Sequence, residues 1–405
     1  MNRICLVCDV FHPSEESTSQ LFSGLVAGLA DDGLRFDVVT NRLPRSQIRA
    51  ARSPNAMHGV RVHGVGISFQ GRGSLFIRAA RNAAFVVCAT VRMLWLNTDR
   101  FWASTNPPFT PVWVALVAWL RRKPFDIIVH DVYPDGLVAV GYVSQSSLIA
   151  RGWTALNRWA YGRAAKVVVL GRDMADLLHR RYGIPHERLI LFPNWSLFDH
   201  ASPPSIAASS LAQKLNLTGK FVIQYSGNMG LWHDIDSIVH AAAMLHDVPD
   251  VHFLMVGGGR RRAGAMQLAA SIGVRNMTWL DFQPQATLPD SLACASVALI
   301  SQRDGLEGVA VPCKLYGILA SGRAIIAAVP ERSEAAQVVQ ETQCGVVLPP
   351  HDAAALATAI RKLSAARDDV AAMGQRAFTA YQQHYSLAAA RRRYWTHWAA
   401  PSVGY

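Results

Sequence analysis

At 405 residues, 51% hydrophobic and 17% charged, the chain is too long for one ordinary domain and too apolar to be a disordered or low-complexity segment. Its net charge of +12 is uneven: residues 1–190 hold 23 Lys and Arg against 13 Asp and Glu, the remainder 17 against 15. A basic first half favours anionic partners such as phosphorylated substrate, acidic lipid or nucleic acid, while six scattered cysteines exclude a disulfide framework and suit a reducing cytoplasm.

In chain order, Ile4–Val10 reads as a short apolar strand. Cys5 and Cys8 fall in that run and point to opposite faces, so no shared metal is expected of them. No small-residue cleavage site follows the first residues, which adds to the cytoplasmic expectation. Ser17–Ala30 sets Leu21, Leu25 and Leu29 on one helical stripe that Gly33 stops. Strands follow at 36–40, 59–65 and 126–130. The apolar stretches 83–96 and 107–120 are too short to span a bilayer. They read either as buried helices or as an interfacial surface seated on a membrane, flanked as they are by arginines. An amphipathic helix at 147–163, a strand at 166–170, a helix at 172–182 and a strand at 189–192 complete the first half.

Ser202-Pro203-Pro204-Ser205 reads as an exposed connection. The alternation then restarts, with strands at 221–226, 252–256, 277–282, 297–300 and 324–328 and helices between them. Such alternation predicts parallel sheets in two doubly wound α/β domains, residues 1–195 and 196–384. Ligands of these sheets sit outside the carboxyl ends of the strands. The expected site is a cleft across which the two sheets face each other.

Three constellations carry chemistry. Tyr225-Ser226-Gly227-Asn228-Met229-Gly230 and Val256-Gly257-Gly258-Gly259-Arg260 are each a strand running into a glycine loop before a helix. Glycines there let backbone N–H groups approach a phosphate, or simply form tight turns. The third runs from Glu307 to Gly322. Pro312 suits the first turn of a helix and Gly322 its end, which puts Lys314 beside unpaired N–H groups as a cradle for a diphosphate. Glu307, in the loop before it, is placed to accept hydrogen bonds from sugar or ribose hydroxyls. A solvated lysine and glutamate are the plain alternative.

Together with Phe192-Pro193-Asn194-Trp195 and His130-Asp131-Val132-Tyr133-Pro134-Asp135, these motifs resemble the retaining family-four glycosyltransferases of the GT-B fold. The likeness is to the branch that builds bacterial O-antigen and colanic-acid-type polysaccharides, with their V-P-S-K-L-Y-G-I-L-A-x-G-R-P run. The resemblance implies two Rossmann-like domains and a C-terminal helix, within 385–405, packed back on the first. It implies transfer of a sugar, with retention, from a UDP- or GDP-sugar to a polyprenyl-diphosphate-linked sugar or other glycan acceptor, with no metal or other cofactor in the site. The catalytic set it points to is Lys314, Glu307 and Asp131, where Asp131 either orients the acceptor hydroxyl or caps a loop. Donor contacts fall to Gly227, Asn228, His233, Gly257, Gly258, Arg260, Phe282, Val309 and Leu315, and acceptor-side contacts to His12 and Asp135.

Two features depart from the family pattern. Gly317 stands where many relatives have a second glutamate that holds the ribose, and Asn228 and His233 stand where they have an arginine and a lysine on the diphosphate. Lys314, with His233 behind it, is left to supply the positive charge. The basic first half, with Trp95, Trp102, Trp113, Trp119, Trp153 and Trp159, suits an anionic bilayer face and a peripheral place on the inner side of the cell membrane.

Competing readings are a GT-B-type sugar-nucleotide epimerase and a non-catalytic membrane- or polyanion-binding protein with a degenerate donor site. The wide, basic, aromatic first half argues for a bulky acceptor and against the epimerase. No recognition helix or stacking motif supports nucleic-acid binding. A dinucleotide oxidoreductase fails because Phe11-His12-Pro13-Ser14-Glu15-Glu16, not G-x-G-x-x-G, follows the first strand.

Overall fold

The structure, a computed structural model, describes residues 3–14, 16–43, 57–67, 75–199, 201–206 and 209–398. The chain divides into two compact units. The first is Met1–Pro193 with Gly308–Ala310 and Leu387–Tyr405; the second is Asn194–Glu307 with Val311–Ser386.

Unit 1 is built on seven strands: β1 (Arg3–Val7), β2 (Arg35–Asn41), β3 (Val60–Val65), β4 (Arg100–Ser104), β5 (Phe125–Ile128), β6 (Lys166–Val169) and β7 (Leu189–Leu191). All pair in parallel, in the order β3-β2-β1-β4-β5-β6-β7. Unit 2 carries β8 (Phe221–Ser226), β9 (Val251–Val256), β10 (Met277–Leu280), β11 (Val297–Ser301), β12 (Ala324–Ala328) and β13 (Gly345–Leu348). These are again parallel, in the order β10-β9-β8-β11-β12-β13. Each sheet is the doubly wound, Rossmann-like arrangement. Strand order reverses between β1 and β4 in one and between β8 and β11 in the other, and a crevice forms outside the carboxyl ends at such a point.

Inner strands such as β11 and β12 are continuous apolar runs because helices cover both faces. In unit 2, Phe221, Ile223, Tyr225, Phe253 and Met255 face one core with the helices Asp236–Met244 and Ala353–Ala365. Their neighbours Val222, Leu254 and Val256 face the other. Gln224, buried among them, donates from Nε2 to the Ser291 carbonyl at 2.9 Å, which satisfies a polar group that apolar surroundings would otherwise penalise.

The helix Leu387–Trp398 packs in unit 1; residues 399–405 lie outside the described set. Arg391 pairs with Asp32, Trp398 donates from Nε1 to Asp126 at 2.8 Å, and the Trp398 and Trp102 rings meet edge to face with centroids 5.0 Å apart. This corrects one expectation: Trp102 belongs to no membrane-facing surface, because it is 0% exposed in β4 beneath that helix. Strand β4 is absent from the sequence reading, as are β13 and the helices Ala353–Ala365 and Arg367–Ala380. The two ambiguous apolar stretches are helices, Leu75–Trp95 and Thr110–Leu120, each buried on one side and exposed on the other. Cys5 and Cys8 are fully buried and burial pushes both thiols up.

Candidate functional site

In unit 2 the reversal of strand order brings the ends of β8 and β11 together, and the residues around it are tightly determined. The loop after β8 returns to β11: the Asp234 N–H donates to Ser301 Oγ at 2.9 Å, and His233 Nδ1 donates to the Ser301 carbonyl at 2.6 Å. The loop after β9 locks onto the same segment. Met229 N–H donates to the Gly258 carbonyl at 2.6 Å and Arg261 N–H to the Met229 carbonyl at 3.0 Å.

The glycines follow from that closeness. Gly257 has φ +125°, and a Cβ there would stand 2.1 Å from the Gly227 carbonyl oxygen. Gly259, at φ +134°, would place one 2.5 Å from the Met229 oxygen. Only glycine fits either position. Gly258 is more tolerant, since its nearest neighbour would be the Phe282 ring at 3.1 Å. That ring lies against the glycine loop and is itself 60% exposed.

Lys314 begins the helix Lys314–Ala320. Its ammonium lies 3.6 Å from the centroid of the Tyr225 ring. A Cβ on Gly227, at φ +135°, would be 3.4 Å from its Cε and Nζ. Part of the lysine stem is accessible, but Nζ is shut off from solvent and has no hydrogen-bond partner among the described residues. Burial, offset slightly by Cys313, drops its pKa to about 7. A cation over an aromatic face is stabilised by about 2 kcal/mol when desolvated, far less than three hydrogen bonds to water supply. The arrangement is a buried amine that has given up water and gained only the face of the Tyr225 ring.

His233 does not carry the second positive charge expected of it. Burial, then the Lys314 charge, lowers its pKa to about 3 against the opposing hydrogen bond to Ser301. It is therefore a neutral imidazole with its proton on Nδ1, which corrects its reading as a second positive charge. Leu315 is likewise corrected: its side chain is wholly buried and its N–H donates to the Pro312 carbonyl at 3.1 Å, so it is a core residue. Asn228 is exposed, with its side chain against Gly230 and Gly259. Arg260 is exposed beside Arg261 and Arg262, which pair with Asp236 and Asp281. Glu307 is half-buried, and at Gly317 a Cβ would make only ordinary contacts with Phe198 and Leu292.

In unit 1, His12 and Asp131 follow the carboxyl ends of β1 and β5. His12 is exposed, and its N–H donates to Ser23 Oγ at 3.1 Å. The Asp131 N–H donates to Thr105 Oγ1 at 3.3 Å, and Asp131 forms a β-bridge with Ala310. Burial, partly relieved by a hydrogen bond from Asn106, pushes the Asp131 pKa up to about 6. Val309 is buried, its carbonyl taken by the Val132 N–H at 2.8 Å. Asp135 points inward: Arg181 pairs with one carboxylate oxygen and the Tyr182 hydroxyl donates to the other. Both oxygens are committed inside unit 1, so its acceptor-side reading gives way to a structural one. Ser301 was not singled out by sequence, and Tyr225 and Gly308 entered only as members of their motifs, with no role of their own. Gly308, at φ +73°, would place a Cβ 2.4 Å from the Asp173 carbonyl. Among the described residues no group of three or more His, Cys, Asp or Glu is placed to hold a metal ion.

Comparison with known proteins agrees with this layout. Residues 19–195 match the family described as glycosyl transferase 4-like domain, and residues 220–366 match glycosyl transferases group 1. The chain is 27% identical over 284 residues to a probable glycosyltransferase, WbjE, of Pseudomonas aeruginosa, covering 70% of each. It is 30% identical over 220 residues to a putative colanic acid biosynthesis glycosyl transferase, WcaI, of Escherichia coli (strain K12), covering 53% of each. A solved structure of Anabaena HepE in complex with UDP and glucose superposes with TM-score 0.73 at 16% identity, over 99% of this chain and 100% of that one. WaaG, a glycosyltransferase involved in lipopolysaccharide biosynthesis, superposes with TM-score 0.70 at 15% identity, over 98% of this chain and 100% of that one. The chain thus carries a glycosyl transferase 4-like domain and a glycosyl transferases group 1 domain in tandem, on the fold of the GT-B glycosyltransferases.

Proposed function

We propose that the chain is a retaining glycosyltransferase that moves a sugar from a UDP- or GDP-sugar to a lipid-linked or other glycan acceptor in bacterial surface-polysaccharide assembly. The observation that carries this reading is the Lys314 ammonium, buried without a hydrogen-bond partner beside Gly227 and the Tyr225 ring. A nucleoside diphosphate leaves with concentrated negative charge, and a preorganised, desolvated cation stabilises that charge as it develops. In this reading Lys314, rather than a metal, takes the diphosphate. The Gly227 and Gly257–Gly258 backbone approaches the phosphates, and the exposed Phe282 ring offers a face to the base. Glu307 accepts from sugar hydroxyls, and Asp131 acts on the acceptor side. The printed names of WcaI and WaaG, and the UDP and glucose of the HepE complex, support the polysaccharide setting and the donor class.

The test is thermal stability against UDP, GDP, ADP and their sugar conjugates, followed by transfer to lipid-linked and free glycans. A ligand at about 100 times its dissociation constant adds roughly 2.7 kcal/mol. One nucleotide should stabilise the protein, and Lys314→Met should remove the effect. Stabilisation by none of them would sink the transferase reading.

A further inference from the structure

Arg323, in the turn before β12, is 8% exposed and has little to hold. A guanidinium carries its N–H donors in a rigid fork, and buried donors need acceptors. Among the described residues Arg323 donates from Nη2 to the Pro204 carbonyl, while Nε is shut off from solvent with no partner. Burial lowers its pKa to about 10, opposed only by the Cys294 thiol. No carboxylate pairs with it among the described residues, and a buried cation without a counter-charge is costly.

The same residue lines a cavity of about 320 Å³ at the amino ends of β8, β11 and β12. Lys220 and Arg367 line it too, and no Asp or Glu does. Lys220 donates to the Pro249 carbonyl at 3.0 Å. Arg367 donates to the Gly219 carbonyl at 3.4 Å and lies 3.9 Å from the exposed Asp250. Arg367 also opens the helix Arg367–Ala380, whose first turn has no side-chain cap, so its free N–H groups add to the positive field. Asp368 and Asp369 of that turn are exposed and lie outside the lining. Ile206, Phe221 and Val370 give the cavity an apolar wall. The candidate donor site lies outside the carboxyl ends of the same strands, so the two sites are at opposite ends of the sheet.

We propose that this cavity is a second anion site of unit 2, which takes a small organic phosphate. Arg323 donates to the phosphate oxygens in the planar fork that suits them, and Lys220 and Arg367 meet the remaining negative charge. The short carbon body of the ester lies along Ile206 and Val370. The cavity is at the small end of the range for ligand pockets, which suits such an ester. The assignment goes beyond the transferase reading and rests on no residue of the candidate donor site.

The experiment is calorimetric titration of the full chain with glycerol phosphate, inorganic phosphate and glycerol, in the wild type and in Lys314→Met. Glycerol phosphate should bind both proteins alike, inorganic phosphate more weakly, and glycerol not at all. Added salt should weaken the binding. Arg323→Met should lower affinity roughly tenfold or more, and so should Lys220→Gln combined with Arg367→Gln. Thermal unfolding without ligand shows which variants fold; the Lys220 and Arg367 pair lies nearer the surface and decides the matter if Arg323→Met does not. Absence of glycerol phosphate binding, binding that Lys314→Met abolishes, or wild-type affinity in the folded variants would each overturn the proposal. The nucleotide-induced thermal shift should persist in these variants, so a failure here leaves the transferase reading untouched.

Discussion

The Lys314 ammonium sits 3.6 Å from the centroid of the Tyr225 ring and has no hydrogen-bond partner among the described residues. Lys314 comes from the start of a helix and Tyr225 from the β8 strand, so a charge-bearing loop and a core strand are joined at one point. The consequence is a fold that disfavours the charged form of this lysine.

The Lys314 contribution to stability should therefore rise with pH above about 7, against the opposite slope that the buried thiols Cys5 and Cys8 add in the alkaline range. Lys314 binds its proton less tightly when folded, with a pKa of about 7 against 10.5. Between those values the unfolded chain holds more protons, so unfolding free energy increases with pH. The destabilisation is fully present below pH 7 and fades towards 10.5, with an upper bound on the order of 5 kcal/mol. The difference in urea unfolding free energy between Lys314→Met and wild type, in favour of the variant at pH 7, should narrow as pH rises towards 10. A slope unchanged in that variant would remove the buried ammonium from the account.

The glycine loops should be intolerant in a graded way. Gly257→Ala drives a methyl to 2.1 Å from the Gly227 carbonyl at a φ of +125°, and backbone cannot yield as a side chain does. A loss of about 3 kcal/mol or more is expected, together with loss of nucleotide binding. Gly258→Ala meets only the exposed Phe282 ring at 3.1 Å, which can turn aside, and should fall within about 1 kcal/mol of wild type. Equal effects from the two would mean the loops are not packed as described. Thermal and urea unfolding of the pair decide it.

How much of this was legible beforehand differs by element. The parallel sheets were, because strands covered on both faces are unbroken apolar runs such as Val297–Ile300 and Ala324–Ala328. Strand β4 was not: Arg100 opens it, Asn97, Thr98 and Asp99 precede it, and its buried Trp102 is covered by Trp398, which lies almost three hundred positions away. A tryptophan between arginines looks the same whether its cover is a lipid or a distant helix. Lys314 could be picked out from Pro312 and the helix start. Its Tyr225 partner could not, because that residue alternates as core. The neutrality of His233 depends on its burial and on the Lys314 charge, neither of which a local pattern announces.

Asp131 supplies a pH dependence of the opposite sign. Burial raises its pKa from 3.8 to about 6, so between those values the folded state holds the extra proton. Stability contributed by this group then falls as pH climbs from about 4 to 6, and the full destabilisation, at most about 3 kcal/mol, remains above 6. Asp131→Asn should be more stable than wild type at pH 7 to 8, with the difference closing below pH 5. If transfer is measured, the same variant should lose kcat with little change in donor KM. A variant that is both no more stable and fully active would leave Asp131 as a loop cap.

Asp135 should behave as structure rather than chemistry. Its carboxylate is buried between Arg181 and the Tyr182 hydroxyl, and removing one partner of a buried pair strands the other charge. Asp135→Ala is expected to cost about 3 kcal/mol or more of stability. At a temperature where it is folded it should keep donor affinity and turnover. Selective loss of turnover in a stable Asp135→Asn protein would restore the acceptor-side reading.

Phe282 separates the base-binding role from packing. Its ring is 60% exposed, so truncation removes little buried surface and Phe282→Ala should unfold within about 1 kcal/mol of wild type. If the exposed face stacks on the nucleobase, the loss is about 1–3 kcal/mol of binding, or roughly 5- to 150-fold in Kd for the nucleotide. Phe282→Trp should restore most of it, because a larger π face stacks on any base. Calorimetric titration of the three proteins with the stabilising nucleotide reads this directly. Wild-type affinity in the alanine variant would mean that the base lies elsewhere, and the Gly257–Gly258 loop would then be a turn that no ligand approaches from that side.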